Sequence, residues 1–168
     1  MRFTHCPDCG QRLSARPIGD EGLVPWCESC SRPWFDTFST CIITAVMNEK
    51  GKVLLQRETR RPDREVLVAG YIKPGESAEE ATRREIAEET GLTATSLRYV
   101  GSFPHGGGDR LMLGFAAQAE GEARPDSTEV VSSRWATLDE AVAALRQGSI
   151  AQQVVMMILA AQSNHNHE

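Results

Sequence analysis

The sequence predicts a mixed α+β (α/β) protein, a sandwich with a mixed sheet between helices behind a small zinc ribbon, on three observations. Two close cysteine pairs open the chain. Short apolar, β-branched runs then recur between residues 40 and 135. A capped, strongly acidic helical segment interrupts those runs, and two further helical segments close the order.

Cys6-Pro-Asp-Cys9 and Cys27-Glu-Ser-Cys30 are separated by seventeen residues, within the spacing of a four-thiolate zinc site. Each pair sits on a tight turn that aims two sulfurs at one centre. Four thiolates leave no open position for water, so Cys6, Cys9, Cys27 and Cys30 are expected to hold one structural Zn2+. Disulfides would need a secretory context, and the start Met-Arg-Phe-Thr-His-Cys lacks the apolar core of a signal peptide. A ribbon that reads nucleic acid is normally basic, whereas residues 1–36 carry four arginines against five acidic side chains, a net of −1. Too short to bury a core unaided, this segment is expected to fold on its metal.

The texture changes after Pro33-Trp34-Phe35-Asp36, which places the main domain at 37–162. Residues 40–47 read as a buried strand in which Cys41 is a core thiol. A turn at 48–51 leads to a second strand at 52–57, and 66–69 reads as a further short strand. A helix is expected over 78–90, with Ser77 and Glu80 as its capping box and Gly91 as its terminator. Strands follow at 97–103, 111–119 and 130–135, then helices at 138–146, capped by Thr137, and at 150–161, capped by Ser149. The polar stretch 163–168 reads as a disordered tail.

At 168 residues, with 40% hydrophobic and 24% charged residues, the chain has material for one full core and a small appendage. No apolar run approaches the roughly 18 residues of a membrane span, so a cytoplasmic protein with no membrane partner is expected. The net charge of −5 argues against a surface built to hold nucleic acid, because phosphate binding depends on clustered cations. Small anions remain accessible where a metal ion offsets the charge.

The most informative stretch is Arg84-Glu85-Ile86-Ala87-Glu88-Glu89. Glu85, Glu88 and Glu89 stand at i, i+3 and i+4 and project from one side of the helix, where like charges repel. A divalent cation reverses that cost, since Mg2+ and Mn2+ favour carboxylate oxygens and bridge to phosphates. On the helix alone, a solvated acidic face with Arg83 and Arg84 as partners explains the pattern as well.

The wider context changes that balance. From Gly70 the chain reads Gly70, five residues, Glu76, seven residues, Arg84-Glu85-Ile86, one residue, Glu88-Glu89, one residue, Gly91-Leu92. This resembles the complete Nudix box at all nine of its defined positions over twenty-three residues. The resemblance implies a Nudix α/β/α sandwich and a pyrophosphohydrolase. It implies that Glu85, Glu88 and Glu89, with the Gly70 carbonyl, hold two or more Mg2+ or Mn2+ ions, and that Glu76 and Arg84 brace the loop and helix. Gly70 and Gly91 are expected where the backbone takes conformations that side chains resist.

A zinc ribbon directly before such a domain is similar to the NADH pyrophosphatase group, which splits NADH or NAD into AMP and the nicotinamide mononucleotide. Residues 22–27, 111–115 and 148–151 resemble segments of that group. The resemblance implies a small-molecule dinucleotide substrate, a homodimer, and substrate contacts from Ser102, His105, Arg110 and Ala151. It also points to Glu129, in Glu129-Val130-Val131-Ser132-Ser133-Arg134-Trp135, as a late glutamate completing the catalytic set, with Glu88 or Glu129 taking the proton. The departure is in the group's S-Q-P-W-P-F-P-x-S segment. Here it reads Ser102-Phe103-Pro104-His105-Gly106-Gly107-Gly108-Asp109-Arg110, so only Ser102 and Pro104 match and the aromatic wall has become a Gly-rich loop. FAD and ADP-ribose therefore stand as alternative substrates, and a nucleotide-sensing or nucleic-acid-binding Nudix-fold protein is the non-enzymatic alternative. Removal of an NAD cap from RNA would need a basic path for the strand, which the sequence does not display.

Overall fold

A computed structural model describes residues 3–107, 109–124 and 128–165. The chain divides into two compact units, Met1–Phe38 and Ser39–Glu168.

The first unit is a three-stranded antiparallel sheet of β1 (Ser14–Pro17), β2 (Leu23–Cys27) and β3 (Arg32–Pro33), with β2 in the centre. Its apolar interior is small, with Cys6, Val24 and Cys27 buried. Cation–aromatic pairs supplement it: Arg16 lies over the Trp26 ring at 4.7 Å and Arg32 over Trp34 at 4.5 Å.

The second unit runs β4 (Ser39–Met47), β5 (Val53–Glu58), β6 (Arg61–Val66), β7 (Val68–Tyr71), α1 (Ala78–Thr90), β8 (Thr93–His105), β9 (Arg110–Glu120), β10 (Val130–Ala136), α2 (Leu138–Ala144) and α3 (Ile150–His165). Its sheet has the order β10-β5-β4-β9-β8, with β6 added to β5 and β7 to β4. The sheet is mixed because β4 pairs with β9 in parallel while the other pairs are antiparallel.

The continuous apolar run of β4 follows from its place between two helical layers. Ile43, Ala45 and Met47 point to one face and pack with Leu138, Ala141, Val154, Val155 and Ile158 of α2 and α3. Ile42 and Val46 point to the other and meet Ala81 and Ile86 of α1. The Ser77–Glu80 capping box is present, with Glu80 N–H donating to Ser77 Oγ at 3.2 Å and Ser77 N–H to Glu80 Oε2 at 2.8 Å. Gly91 ends the helix at φ 71°, where a side chain would be strained. Thr137 and Glu140 form a second capping box on α2, and Ser149 Oγ accepts from the Gln152 N–H at the start of α3. No helix among the described residues is long and apolar enough to cross a membrane.

Several expectations need correction. The single strand expected at 66–69 is two strands: Val66 closes β6 and Val68 opens β7. β6 escaped the sequence reading because Arg61-Pro62-Asp63-Arg64-Glu65 shows no apolar alternation, and pairing with β5 holds it instead. β8 is longer than expected at both ends. α2 stops at Ala144, because Leu145 leaves the helix to bridge with Glu65. α3 continues to His165, into the stretch expected as a tail, and residues 166–168 lie outside the described ones. His105 and Arg110 are not loop residues. They end β8 and begin β9 and face each other in register.

Candidate active site

Ile86 is fully buried against the sheet, which fixes the rotation of α1 and turns its glutamates along β7. Three successive residues of β7 then meet three side chains of α1. The Ala69 N–H donates to the Glu89 carboxylate, Gly70 lies beneath Glu85, and the Tyr71 carbonyl accepts from Arg84 Nη2 at 3.0 Å.

Gly70 is needed for space and not for backbone freedom, since its φ lies outside the positive range. A Cβ built on it would run into the Glu85 carboxyl carbon and Oε1. Sequence reasoning placed the right residue type there for the wrong reason.

Arg84 organises the acidic face. Its Nε and Nη2 grip Glu76 at 2.7 and 2.9 Å, a bidentate pair, while Nη1 reaches Glu85 Oε1 at 2.6 Å and Glu88 Oε2 at 3.0 Å. That guanidinium, followed by the Lys73 N–H, holds the Glu76 carboxyl down at about 2. Glu76 thereby anchors the loop ahead of α1 to the helix, and Arg84 presents Glu85 and Glu88 in fixed positions.

Glu89 has the opposite environment. Burial pushes its carboxyl up to about 8, and the charges of Glu85, Glu129 and Glu58 add to the rise. The carboxylate faces a cleft of about 390 Å3 lined by Glu58, Thr59, Arg60, Ala69, Glu129 and Val130. Glu129, from the segment ahead of β10, therefore comes together with the α1 glutamates although forty residues separate it from Glu89 in sequence. Glu58, at the end of β5, joins them. The sequence carried no signal for Glu58, because the β5–β6 turn that presents it was not legible. Hard carboxylate oxygens from Glu58, Glu89 and Glu129 on one cleft are donors of the kind that a divalent cation such as Mg2+ or Mn2+ takes.

A second cleft, of about 400 Å3, shares Glu58 and Ala69 with the first. His105 and Ala151 line it together with Arg61, Arg64 and Arg146. Ser102 and Arg110 do not: Ser102 is an exposed residue opposite Leu113, and Arg110 pairs with His105. The basic residues were missed in the sequence because two of them belong to the unrecognised β6.

In the first unit, the Sγ atoms of Cys6, Cys9, Cys27 and Cys30 all lie within 4.8 Å of one another, the one group among the described residues whose donors converge so closely. Two of the separations are 3.9 Å (Cys6–Cys30) and 3.5 Å (Cys9–Cys27). A tetrahedron with Zn–S bonds of about 2.3 Å has edges of about 3.8 Å, so the cage matches zinc. The two knuckles share a backbone device, a left-handed residue immediately after the second cysteine: Gly10 at φ 74° and Ser31 at φ 53°. Burial raises the Cys6 thiol, but the N–H groups of Cys9 and Asp8 outweigh this and bring it to about 7. Hydrogen bonds with Cys9 and Cys27 hold Cys30 at about 12. Replacing Cys27 with serine is expected to reduce bound zinc from one per chain to none and to melt the first unit. Metal analysis with limited proteolysis checks this, and full zinc retention would remove the thiolate cage from the account.

Residues 37–156 match the family described as NUDIX domain. Over 160 residues the chain is 32% identical to the "NAD-capped RNA hydrolase NudC" of Vibrio vulnificus, covering 95% of this chain and 59% of that protein. Over 164 residues it is 34% identical to the protein of the same name from Pseudomonas aeruginosa, covering 94% and 56%. The chain thus spans less than two thirds of the length of these relatives. Among solved structures, a NUDIX hydrolase from Nitrosomonas europaea superposes with a TM-score of 0.72 at 18% identity, over 91% of this chain and 88% of that one. The NUDIX domain of Shewanella oneidensis NrtR, solved with ADP ribose, gives a TM-score of 0.64 at 15% identity over 82% and 94%. At these identities the two structures support the fold alone.

Proposed function

We propose, from the premise that this chain belongs to the Nudix family, that it hydrolyses the diphosphate bond of a nicotinamide dinucleotide to AMP and the nicotinamide mononucleotide. The observation that carries the reading is the convergence of Glu89, Glu129 and Glu58 on one cleft beside the Arg84-ordered Glu85 and Glu88. The relatives are named for hydrolysis of NAD-capped RNA, which supports an NAD moiety in the substrate.

Glu85, Glu88 and Glu89 would hold two or more Mg2+ or Mn2+ ions, whose chemistry would be charge neutralisation at the diphosphate and a lowered pKa for the attacking water. Glu129, which lines the same cleft as Glu89, would be the group to accept a proton there, since Glu88 is tied to Arg84. Glu76 and Arg84 hold the helix and loop in register so that the carboxylates need not reorganise. The four cysteines hold a structural zinc, and a homodimer belongs to the same reading, checked by light scattering at twice the chain mass.

AMP release with Mg2+ or Mn2+, measured side by side on NADH, NAD, FAD and ADP-ribose, tests the proposal. NADH or NAD is expected to give the highest kcat/KM. Preference for FAD or ADP-ribose would replace the substrate, and no turnover of any of them would leave a binding role.

A second reading, cleavage of an NAD cap from RNA, is favoured by the β5–β6 hairpin. It carries Arg57, Arg60, Arg61 and Arg64 against Glu58, Asp63 and Glu65, a net of 4 minus 3, or +1, on an otherwise acidic chain, and the arginines not paired within it could follow a phosphate backbone. A higher kcat/KM on NAD-capped oligoribonucleotide than on free NAD, falling steeply with salt, would support it. A salt-independent preference for free NAD would exclude it.

A further inference from the structure

The second cleft has more cationic character than a neutral nicotinamide requires. Its floor is apolar, with Ile43, Leu67 and Met112, and arginines from separate elements stand around it. Arg61 opens β6, and Arg146 lies between α2 and α3. The Glu65–Leu145 bridge brings these two segments together.

The charges are committed unequally. Glu65 is gripped by Arg134 at 2.7 Å through both oxygens and lies 3.8 Å from Arg57, so its charge is already balanced. Arg64 faces Asp63 at 3.6 Å. Arg61 and Arg146, both exposed, make no hydrogen bond or ion pair through their side chains among the described residues. The remaining titratable groups on the lining are Glu58 and His105, and Glu58 sits at the wall shared with the glutamate cleft. Two uncommitted guanidinium groups over an apolar floor favour a planar or tetrahedral oxyanion, which each can bind through two N–H groups.

The scissile diphosphate is not that oxyanion, because it belongs beside Glu85, Glu88 and Glu89, and neither Arg61 nor Arg146 lines the cleft of Glu89 and Glu129. We infer that Arg61 and Arg146 form a subsite for an additional anionic group on the substrate, a phosphomonoester or a carboxylate, which selects dinucleotides carrying one over their neutral counterparts. The inference rests on the reading of the joined clefts as a dinucleotide site. A volume of about 400 Å3 is of the size that takes one half of such a ligand.

The test compares kcat/KM for NADPH, nicotinic acid adenine dinucleotide and NADH in the wild type, Arg61→Ala, Arg146→Ala and the control Arg98→Ala, an exposed cation on β8 that lines neither cleft. At least one of the two anionic substrates is expected to exceed NADH by roughly tenfold, as a charge-assisted pair allows. That ratio should collapse in both cleft variants and persist in Arg98→Ala. Preference for the 2′-phosphate identifies a phosphomonoester, and preference for the nicotinate identifies a carboxylate. NADH equal to or better than both, or a ratio unchanged by the two variants, overturns the inference. So does a loss confined to NAD-capped RNA, which would assign the arginines to a strand path.

Calorimetric binding of 2′,5′-ADP against 5′-AMP, and of nicotinic acid mononucleotide against nicotinamide mononucleotide, separates this result from the reaction itself. Anion-dependent tightening that is lost in the variants, in a protein that turns over no dinucleotide, would keep the subsite and discard the proposed reaction. Equal binding within each pair would discard the subsite.

Discussion

Replacing Glu89 with glutamine is expected to lower turnover by about three orders of magnitude while leaving the fold intact. The amide keeps the size of the side chain and can still lie against the Ala69 N–H, but it removes the charge at the point where Glu85, Glu129 and Glu58 act together. Steady-state AMP release with Mn2+, read beside the circular dichroism spectrum, checks both halves of the statement. Activity within a few-fold of wild type would end the assignment of this cleft as the reaction centre.

The same variant has an effect that turnover does not report. In the folded protein the Glu89 carboxyl titrates near 8, against an ordinary value of 4.5. A carboxyl raised in this way contributes stability below 4.5 and loses it as the pH climbs to 8, because the unfolded chain ionises first. In chelator, wild-type protein should therefore become less stable between pH 4.5 and 8, and the glutamine variant should not follow it. Melting curves at pH 5 and pH 8 would show the two proteins close together at the lower pH and the variant higher at the upper. Added Mg2+ should reverse the order, since it stabilises the charged form alone.

Replacing Gly70 with alanine is the second large effect, and it separates activity from stability. The added methyl meets the far end of the flexible Glu85 side chain, not backbone, so the fold can yield by swinging that carboxylate aside. The swing breaks the 2.6 Å contact with Arg84 Nη1 and displaces an oxygen of the proposed metal set. Misplacement of such a group costs about a hundredfold in rate. The expected result is a roughly hundredfold drop in kcat with a melting temperature close to wild type. A variant that is fully active, or one that fails to fold, would contradict the close packing of Gly70 and Glu85.

The parts of the fold legible in the sequence are those that local chemistry determines. The Ser77–Glu80 capping box, Thr137 as a cap, Gly91 as terminator and the apolar β4 could each be read from neighbours within a few residues. The cysteine cage was legible because spacing alone constrains it. What escaped depends on partners distant in sequence. β6 has no apolar face and exists through its pairing with β5, so Glu58, Arg61 and Arg64 could not be placed. The ends of β8 and β9 look like a Gly-rich loop until their mutual register is known, which is why His105 and Arg110 were expected in a loop and instead face each other across two strands. Glu129 was located by resemblance, and its approach to Glu89 required the folded chain.

One strand shapes what a second copy of the protein can do. Among the described residues β8 pairs with β9 alone, and apart from the Ala94 carbonyl, which accepts from Arg83 Nη1, its free side would present N–H and C=O groups to any passing strand. The register is broken between Ala94 and Ser96 and again between Tyr99 and Gly101. Each irregularity twists the border and leaves a backbone group out of line, so no long straight segment remains for a neighbour to copy. Growth of the sheet from molecule to molecule along this edge is thereby discouraged.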